Sequence, residues 1–296
     1  MKTVRDIGEF GLIARLRNLL VTKDRSVAVN IGDDCAVLRS GVKGKYLLLT
    51  CDPVVEGVHY RPGTPPDRVG WKAMARNLSD IAAMGGLPRW AVVSIGLRPD
   101  TPVRNVEQLY AGLRAAAGLF GCAIVGGDTT HVAREPFVVV TLVGEVERRR
   151  LVCRSGARAG DAVFVTGKLG GSIRGKHLRF IPRIHEARWL TQHFRIHAMM
   201  DVSDGLASDL QRLVDAGAVG FDVVSRAVPR NGSLRAALTD GEDFELLFAV
   251  DARDAEALKR RWPFRLPLTE IGRAIRRRMV LLDGVPLTVR GYDHFA

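Results

Sequence analysis

Six short acidic motifs punctuate the chain, most of them beside a glycine or where an apolar run stops: GDD (32–34), CDPVVEGVH (51–59), NLSD (77–80), GGDTT (126–130), DVSDGL (201–206) and DGEDFE (240–245). In α/β folds, ligands bind in the crevice outside the ends of strands. Carboxylates that converge there from separate strands repel one another unless a cation neutralises them. The pattern therefore calls for a fold that gathers distant strand ends around one charged site.

Periodicity supplies the elements for such a fold. Residues 7–20 read as a short amphipathic helix, and LLLT (47–50) as a strand ending at Cys51 and Asp52. Pro65-Pro66-Asp67 opens a helix running to Met84, where Gly85-Gly86 stops it. WAVVSIGL (90–97) reads as a strand and 103–119 as a helix. CAIVGGD (122–128) reads as a buried strand ending in glycines, and FVVVTLVGEVE (137–147) as a long strand followed by a polar arginine turn. The small, glycine-rich stretch CRSGARAGD (153–161) marks a junction, with expected domains at 1–148 and 149–296. Beyond it DAVFVTG restarts the strand pattern, a helix follows DVSDGL, and ELLFAV (245–250) is a further strand. A length of 296 residues suits two α/β or α+β domains.

Composition narrows the function classes. With 47% hydrophobic and 26% charged residues, the chain reads as a soluble globular protein. No stretch approaches the roughly 20 apolar residues of a bilayer span, and the N-terminus lacks the apolar core of a signal peptide. Cys35, Cys51, Cys122 and Cys153 are far apart with no C-x-x-C pair, which reads as reduced thiols in a cytoplasmic protein. The net charge is +12, and only 8 of the 44 basic residues are lysine. The arginine clusters at 148–150 and 276–278 are not interleaved with aromatics. That disfavours a nucleic-acid partner and leaves solvated turns or attraction for phosphorylated ligands.

Oxygen-only ligand sets select hard cations, and Mg²⁺ takes one or two carboxylates together with phosphate oxygens. The histidines show no HExxH spacing, against zinc, and DVSDGL lacks the register of an EF-hand loop. Taken singly, Asp33, Asp34, Asp128, Asp201 and Ser203 serve as turn or helix-cap residues as readily as ligands. Asp80 resists that reading, because its helix is otherwise apolar and small (Ala73, Met74, Leu78, Ile81, Ala82). Together the motifs indicate Mg²⁺ bridging a phosphorylated ligand, without specifying the substrate.

The six motifs in this order, with the flanking GEFGLIARL, GWKAMARNLSDIAAMGG, RSGARAGD and GYDHF, resemble the thiamine-monophosphate kinase family. The resemblance runs from about residue 7 to the end of the sequence. That family is related to aminoimidazole ribonucleotide synthetase and selenophosphate synthetase. The resemblance implies an α/β (α+β) two-domain aminoimidazole ribonucleotide synthetase-like fold. Its N-terminal domain would form a homodimer through its sheet, and its C-terminal domain would cover the site. It implies ATP- and Mg²⁺-dependent phosphorylation of thiamine monophosphate to thiamine diphosphate, with several metal ions and no general base. A related synthetase or kinase acting on another small phosphorylated substrate is the alternative. On matching positions, Asp34, Asp52, Asp80, Asp128, Asp201 and Asp204 are implied metal ligands, with Thr50 and Cys51 at a Thr-Thr pair beside the metals. Tyr110, Gly127, Asp128, Arg154 and Ser203 are implied ATP contacts, and His59, Glu242 and Tyr292 implied substrate contacts. The chain departs from the pattern twice: Cys51 replaces a threonine, and the segment after Gly170 is shortened.

That shortened segment, GGSIRGKH (170–177), matches G-x₄-G-K and so imitates a phosphate-binding P-loop. His177 stands where such a loop needs a hydroxyl for Mg²⁺, and the acidic motifs offer a rival magnesium-phosphate site. We therefore read the match as coincidental. Lys176→Ala should retain ATP affinity within about threefold when titrated calorimetrically, whereas a true P-loop lysine would be indispensable.

Overall fold

The computed structural model describes residues 2–20 and 22–295. Its first helix, α1 (Val4–Leu19), is broken at Gly8, whose φ of 64° lies in the left-handed region. The break accommodates the C-terminal tail, because a Cβ at Gly8 would press on the Asp293 carboxylate. That carboxylate accepts the Glu9 N–H at 3.2 Å.

Two short strands, β1 (Val27–Val29) and β2 (Ala36–Arg39), lead into β3 (Lys45–Val55). After helix α2 (Pro66–Ala83) come β4 (Leu87–Leu97), α3 (Val103–Gly118), β5 (Ala123–His131) and β6 (Phe137–Glu147). These strands form a six-stranded sheet in the order β1-β2-β3-β6-β4-β5. Alternation along β6 sends Val138, Val140, Leu142 and Val146 to a buried face, while Val139, Thr141 and Val143 are only half-buried on the other. The β-branched, period-two sequence dictates this two-faced strand.

The second sheet takes β7 (Ala162–Thr166), β8 (Ile196–Asp201), β9 (Gly220–Val223), β10 (Leu246–Val250), β11 (Leu268–Ile275), β12 (Val280–Leu282) and β13 (Val285–Pro286). Their order is β13-β12-β9-β11-β7-β10-β8. Every residue of β7 and β10 is buried, which explains their unbroken apolar sequences. One face of this sheet, with Phe164, Met199 and Phe248, joins the core of the first sheet and α4 (Ile184–His193). The other face, with Val165, Met200 and Leu247, packs beneath α5 (Leu206–Ala216) and α6 (Leu234–Thr239). A last helix, α7 (Ala255–Arg261), follows β10. The mixed α/β class is as the sequence implies.

Helix α2 is wedged between the sheets and packs against β3, β6, α3, α4 and β8. Pro66 begins it with a backbone angle already suited to a helix, and Gly85, at φ 71°, ends it as expected. Two elements differ from expectation. Strand β3 does not stop at Cys51 but continues to Val55 along its full pairing with β6. Strand β5 is not buried: it is an exposed edge paired only with β4, and GGDTT lies inside it. Of its residues only Ile124 is half-buried, and the others are exposed.

The contact between α2 and α3 depends on glycine. A Cβ at Gly70 would collide with the Leu109 carbonyl, and one at Gly112 with the Asp67 carbonyl. Gly112→Ala should therefore destabilise the protein by about 2 kcal/mol in urea unfolding, despite about 1 kcal/mol gained in helix propensity.

Candidate active site between the two sheets

The inward face of α2 carries Lys72, Arg76 and Asp80 at successive four-residue steps, which places them in one row along the helix. At one end, Asp80 meets Asp34 from the β1–β2 loop and Asp201 from the end of β8. One carboxylate oxygen of each lies within 4.8 Å of the others. Thr50 Oγ1 donates to Asp80 at 2.5 Å, and Ser79 Oγ donates to Asp201 at 2.5 Å. Arg154 Nη2 donates to Asp34 Oδ1 at 2.7 Å, while Asp34 Oδ2 is buried with no hydrogen-bond partner.

Burial, reinforced by Asp52, pushes the Asp80 carboxyl well above the usual carboxylate range. Burial, and then Asp34, pushes Asp201 up to about 7. The neighbouring Asp33, which accepts the Arg154 N–H, is likewise raised to about 7 by burial and Asp34. A hard cation suits this set: all its donors are oxygens, and the orphaned Asp34 oxygen is one such an ion would satisfy.

The other expected ligands are arranged differently. Asp52 lies two residues beyond Thr50 and accepts from Arg76 Nε at 3.1 Å. Cys51, between them, faces the opposite side of the sheet, where Thr141 Oγ1 donates to its Sγ at 3.3 Å. The thiol is thus kept out of the cluster, and only the backbone of residue 51 remains for a role there. Asp128 lies on exposed β5 and accepts its neighbour Thr129's N–H at 2.8 Å, apart from the three clustered carboxylates. Asp204 is ion-paired with Arg212, which also holds the fully buried Asp209 at 3.1 Å.

Among the expected nucleotide contacts, Gly127 sits where β5 runs close to β4, and a Cβ there would strike the Val93 carbonyl. Tyr110 on α3 is half-buried against the core of the first sheet. Ser203 lies after β8, near Arg212.

At the other end of the α2 row, His59, Glu242 and Tyr292 line one cavity together with Arg76 and His294. Lys72 has no exposed surface. Its ammonium donates to the His59 carbonyl at 2.5 Å and reaches Glu242 Oε1 at 2.6 Å and Oε2 at 2.8 Å. Burial lowers its pKa to about 8 against the pull of Glu242, so it remains charged at neutral pH. Burial and the neighbouring Arg76 and Lys72 push His59 down to about 3. Its Nδ1 accepts the Val55 N–H at 3.1 Å, which leaves the proton of the neutral ring on Nε2. Glu242 and Phe244 adopt left-handed φ values of 54° and 50°. Bonds from their N–H groups to Ser203 and Val202 hold them there, as does the stacking of Phe244 on Phe180.

The GGSIRGKH segment is occupied by the protein's own carboxylates. Gly170 N–H donates to Asp243 at 2.7 Å, Gly171 N–H to Asp240 at 3.0 Å, and Lys176 Nζ to the buried Glu245 at 2.8 Å. Arg183 adds a two-pronged contact to Glu245. The segment is a clasp on the DGEDFE loop.

Sequence reading overlooked Lys72, Arg76, Ser79, Asp209, Arg212 and His294. The four-residue spacing of Lys72, Arg76 and Asp80 was a usable signal for the first two; the others depend on long-range contacts.

A split carboxylate site between two mixed sheets defines a class. Family models for the AIR synthase related protein N-terminal and C-terminal domains match residues 32–146 and 158–282. The thiamine-monophosphate kinase of Aquifex aeolicus is 36% identical, covering 99% of both chains. That of Escherichia coli K12 is 35% identical, covering 98% of both. A solved structure of AaThiL complexed with AMPPCP and TMP superposes with a TM-score of 0.87, at 34% identity and 99% of both chains. The chain belongs to the AIR synthase related proteins and, within them, to the thiamine-monophosphate kinase family. The hydrogenase maturation protein HypE, at 21% identity and a TM-score of 0.71, shares the fold alone.

The clustered acids carry a pH signature. Folded Asp33 and Asp201 keep their protons to about 7, whereas the unfolded chain releases them near 3.8. Their contribution to stability is thus full below the unfolded value and is lost as pH rises towards 7. Melting temperatures in EDTA should fall over that window, and added Mg²⁺ should reverse the fall.

Proposed function

We propose that this chain transfers the γ-phosphoryl group of ATP to the phosphate of thiamine monophosphate, giving thiamine diphosphate and ADP. The observation that carries this reading is the adjacency of two parts along one helix. The Asp34–Asp80–Asp201 cluster meets the row at Asp80, and the His59–Glu242–Tyr292 cavity meets it at Arg76 and Lys72. The named relatives supply the substrate pair.

An oxygen of the acceptor phosphate attacks the γ-phosphorus, and the bond to the β-phosphate oxygen breaks. The acceptor is already an anion near neutral pH, so no strong base is required. The barrier lies in bringing two anions together, and it is lowered by positioning and charge neutralisation. Mg²⁺ ions held by Asp34, Asp80 and Asp201, with Asp52, Asp128 and Asp204 as further ligands, would supply that neutralisation. Thr50 orients Asp80, and Ser79 orients Asp201. Arg154, Tyr110, Gly127 and Ser203 are assigned to ATP. The Nε2–H of His59 offers a fixed donor to the substrate, and the exposed ring of Tyr292 offers a stacking surface.

We further assign the domains as 1–148 and 149–296, the compartment as cytoplasmic, and the assembly as a homodimer through the first sheet. Support for the dimer is the outer side of that sheet, where Trp90, Val92 and Val125 are 46%, 40% and 61% exposed. No described helix is long and apolar enough to cross a membrane. Another small phosphorylated acceptor is the second reading, favoured by the shortened segment, because Ile173 borders the substrate cavity while Arg174 and His177 border an adjoining one that shares His59 and Glu242.

Purified protein with ATP, Mg²⁺ and thiamine monophosphate should form thiamine diphosphate. Asp52→Asn or Asp128→Asn should reduce turnover by about 100-fold or more. ATP turnover without a thiamine product would reject the assignment.

A further inference from the structure

The row on α2 contains one cation that the roles above leave unused. Arg76 is 15% exposed and lies four residues from Lys72, which is spent on Glu242, and four from Asp80 in the carboxylate cluster. Its Nε donates to Asp52 at 3.1 Å, which fixes the plane of the guanidinium. No hydrogen bond holds either terminal nitrogen among the described residues, and neither is a buried orphan. Among the described residues lining the cavity with His59 and Tyr292, Arg76 is the only arginine or lysine, against Asp204, Asp240 and Glu242; Arg61 and Arg174 line the adjoining cavity. A phosphate monoester entering a cavity so rich in carboxylates would be repelled without a counter-charge, and a guanidinium fork matches phosphate oxygens two at a time.

We propose that Arg76 is a catalytic residue whose terminal nitrogens grip the phosphate of the acceptor and hold it facing the carboxylate cluster. This rests on the reading of the chain as a kinase of a phosphorylated acceptor. Arg76 thereby selects acceptors that already bear a phosphate, and it offsets the charge that the acceptor brings towards ATP. The Asp52 contact serves to orient it.

The test is steady-state kinetics on Arg76→Gln and Arg76→Lys, each checked for a wild-type melting temperature. Arg76→Gln should lower kcat/KM for thiamine monophosphate by about 100-fold while KM for ATP stays within about threefold. Arg76→Lys, which keeps the charge and loses the fork, should recover about one-tenth of wild-type kcat/KM. A kcat/KM within about threefold of wild type in Arg76→Gln, or an equal loss towards both substrates, would overturn the proposal. If Arg76→Gln does not fold, Arg76→Lys decides: wild-type kinetics from the lysine variant count against the fork. Failure of the wild-type protein to make thiamine diphosphate would instead reject the kinase reading itself.

Discussion

Three carboxylates within 4.8 Å of one another in a nearly dry interior repel each other strongly, and much of the architecture contains that repulsion. They come from three places: the β1–β2 loop, the middle of the chain on α2, and the end of β8. Each has its own restraint, from Arg154, Thr50 and Ser79 respectively. Neutral hydroxyls restrain two of the acids and a cation only one, so the cluster keeps a deficit of positive charge. A divalent ion would offset that deficit, as weak hydroxyl donors do not. A cluster fully satisfied by arginines would be stable and inert.

The legible parts of the site were those with a local cause. Asp80 betrayed itself as a charge inside an apolar helix, whereas Asp201 read only as part of an acidic motif or as a helix cap, and the strand β8 that it ends went unread. The helix α2, with proline at its start and glycine after its end, was readable almost to the residue. The side on which the Cys51 thiol lies was not legible because β3 continues past it, and in a strand a residue's face depends on strict alternation. Thr50 and Asp52 look inward, so the residue between them must look out. The glycines of GGDTT read as the end of a buried strand, yet at least Gly127 serves the close approach of β5 to β4 inside an exposed edge. Lys72 and Arg76 passed unread within the GWKAMARNLSD stretch. The partner that buries Lys72 is 170 residues away, and no local pattern announces it.

GGSIRGKH shows how a motif's chemistry outlives its usual purpose. Backbone amides of a glycine-rich turn and a nearby lysine do bind anions here, as such turns must. The anions are Asp240, Asp243 and Glu245, supplied by the chain itself. The segment thereby anchors the strained loop that presents Glu242, and its sequence is tied to the substrate cavity through that loop.

Helix α2 also behaves as a rivet. Through Thr50 it is fastened to the first sheet, through Ser79 to β8, and through Lys72 to the loop before β10. Parting the two halves would strip a buried ammonium and two carboxylates of their partners at once, so the first increment of opening carries most of the energetic penalty. Hinge motion, the usual means by which a two-lobed enzyme admits its ligands, is thereby discouraged. The C-terminal residues are tied into the same frame, through the Asp204 carbonyl and through Glu9.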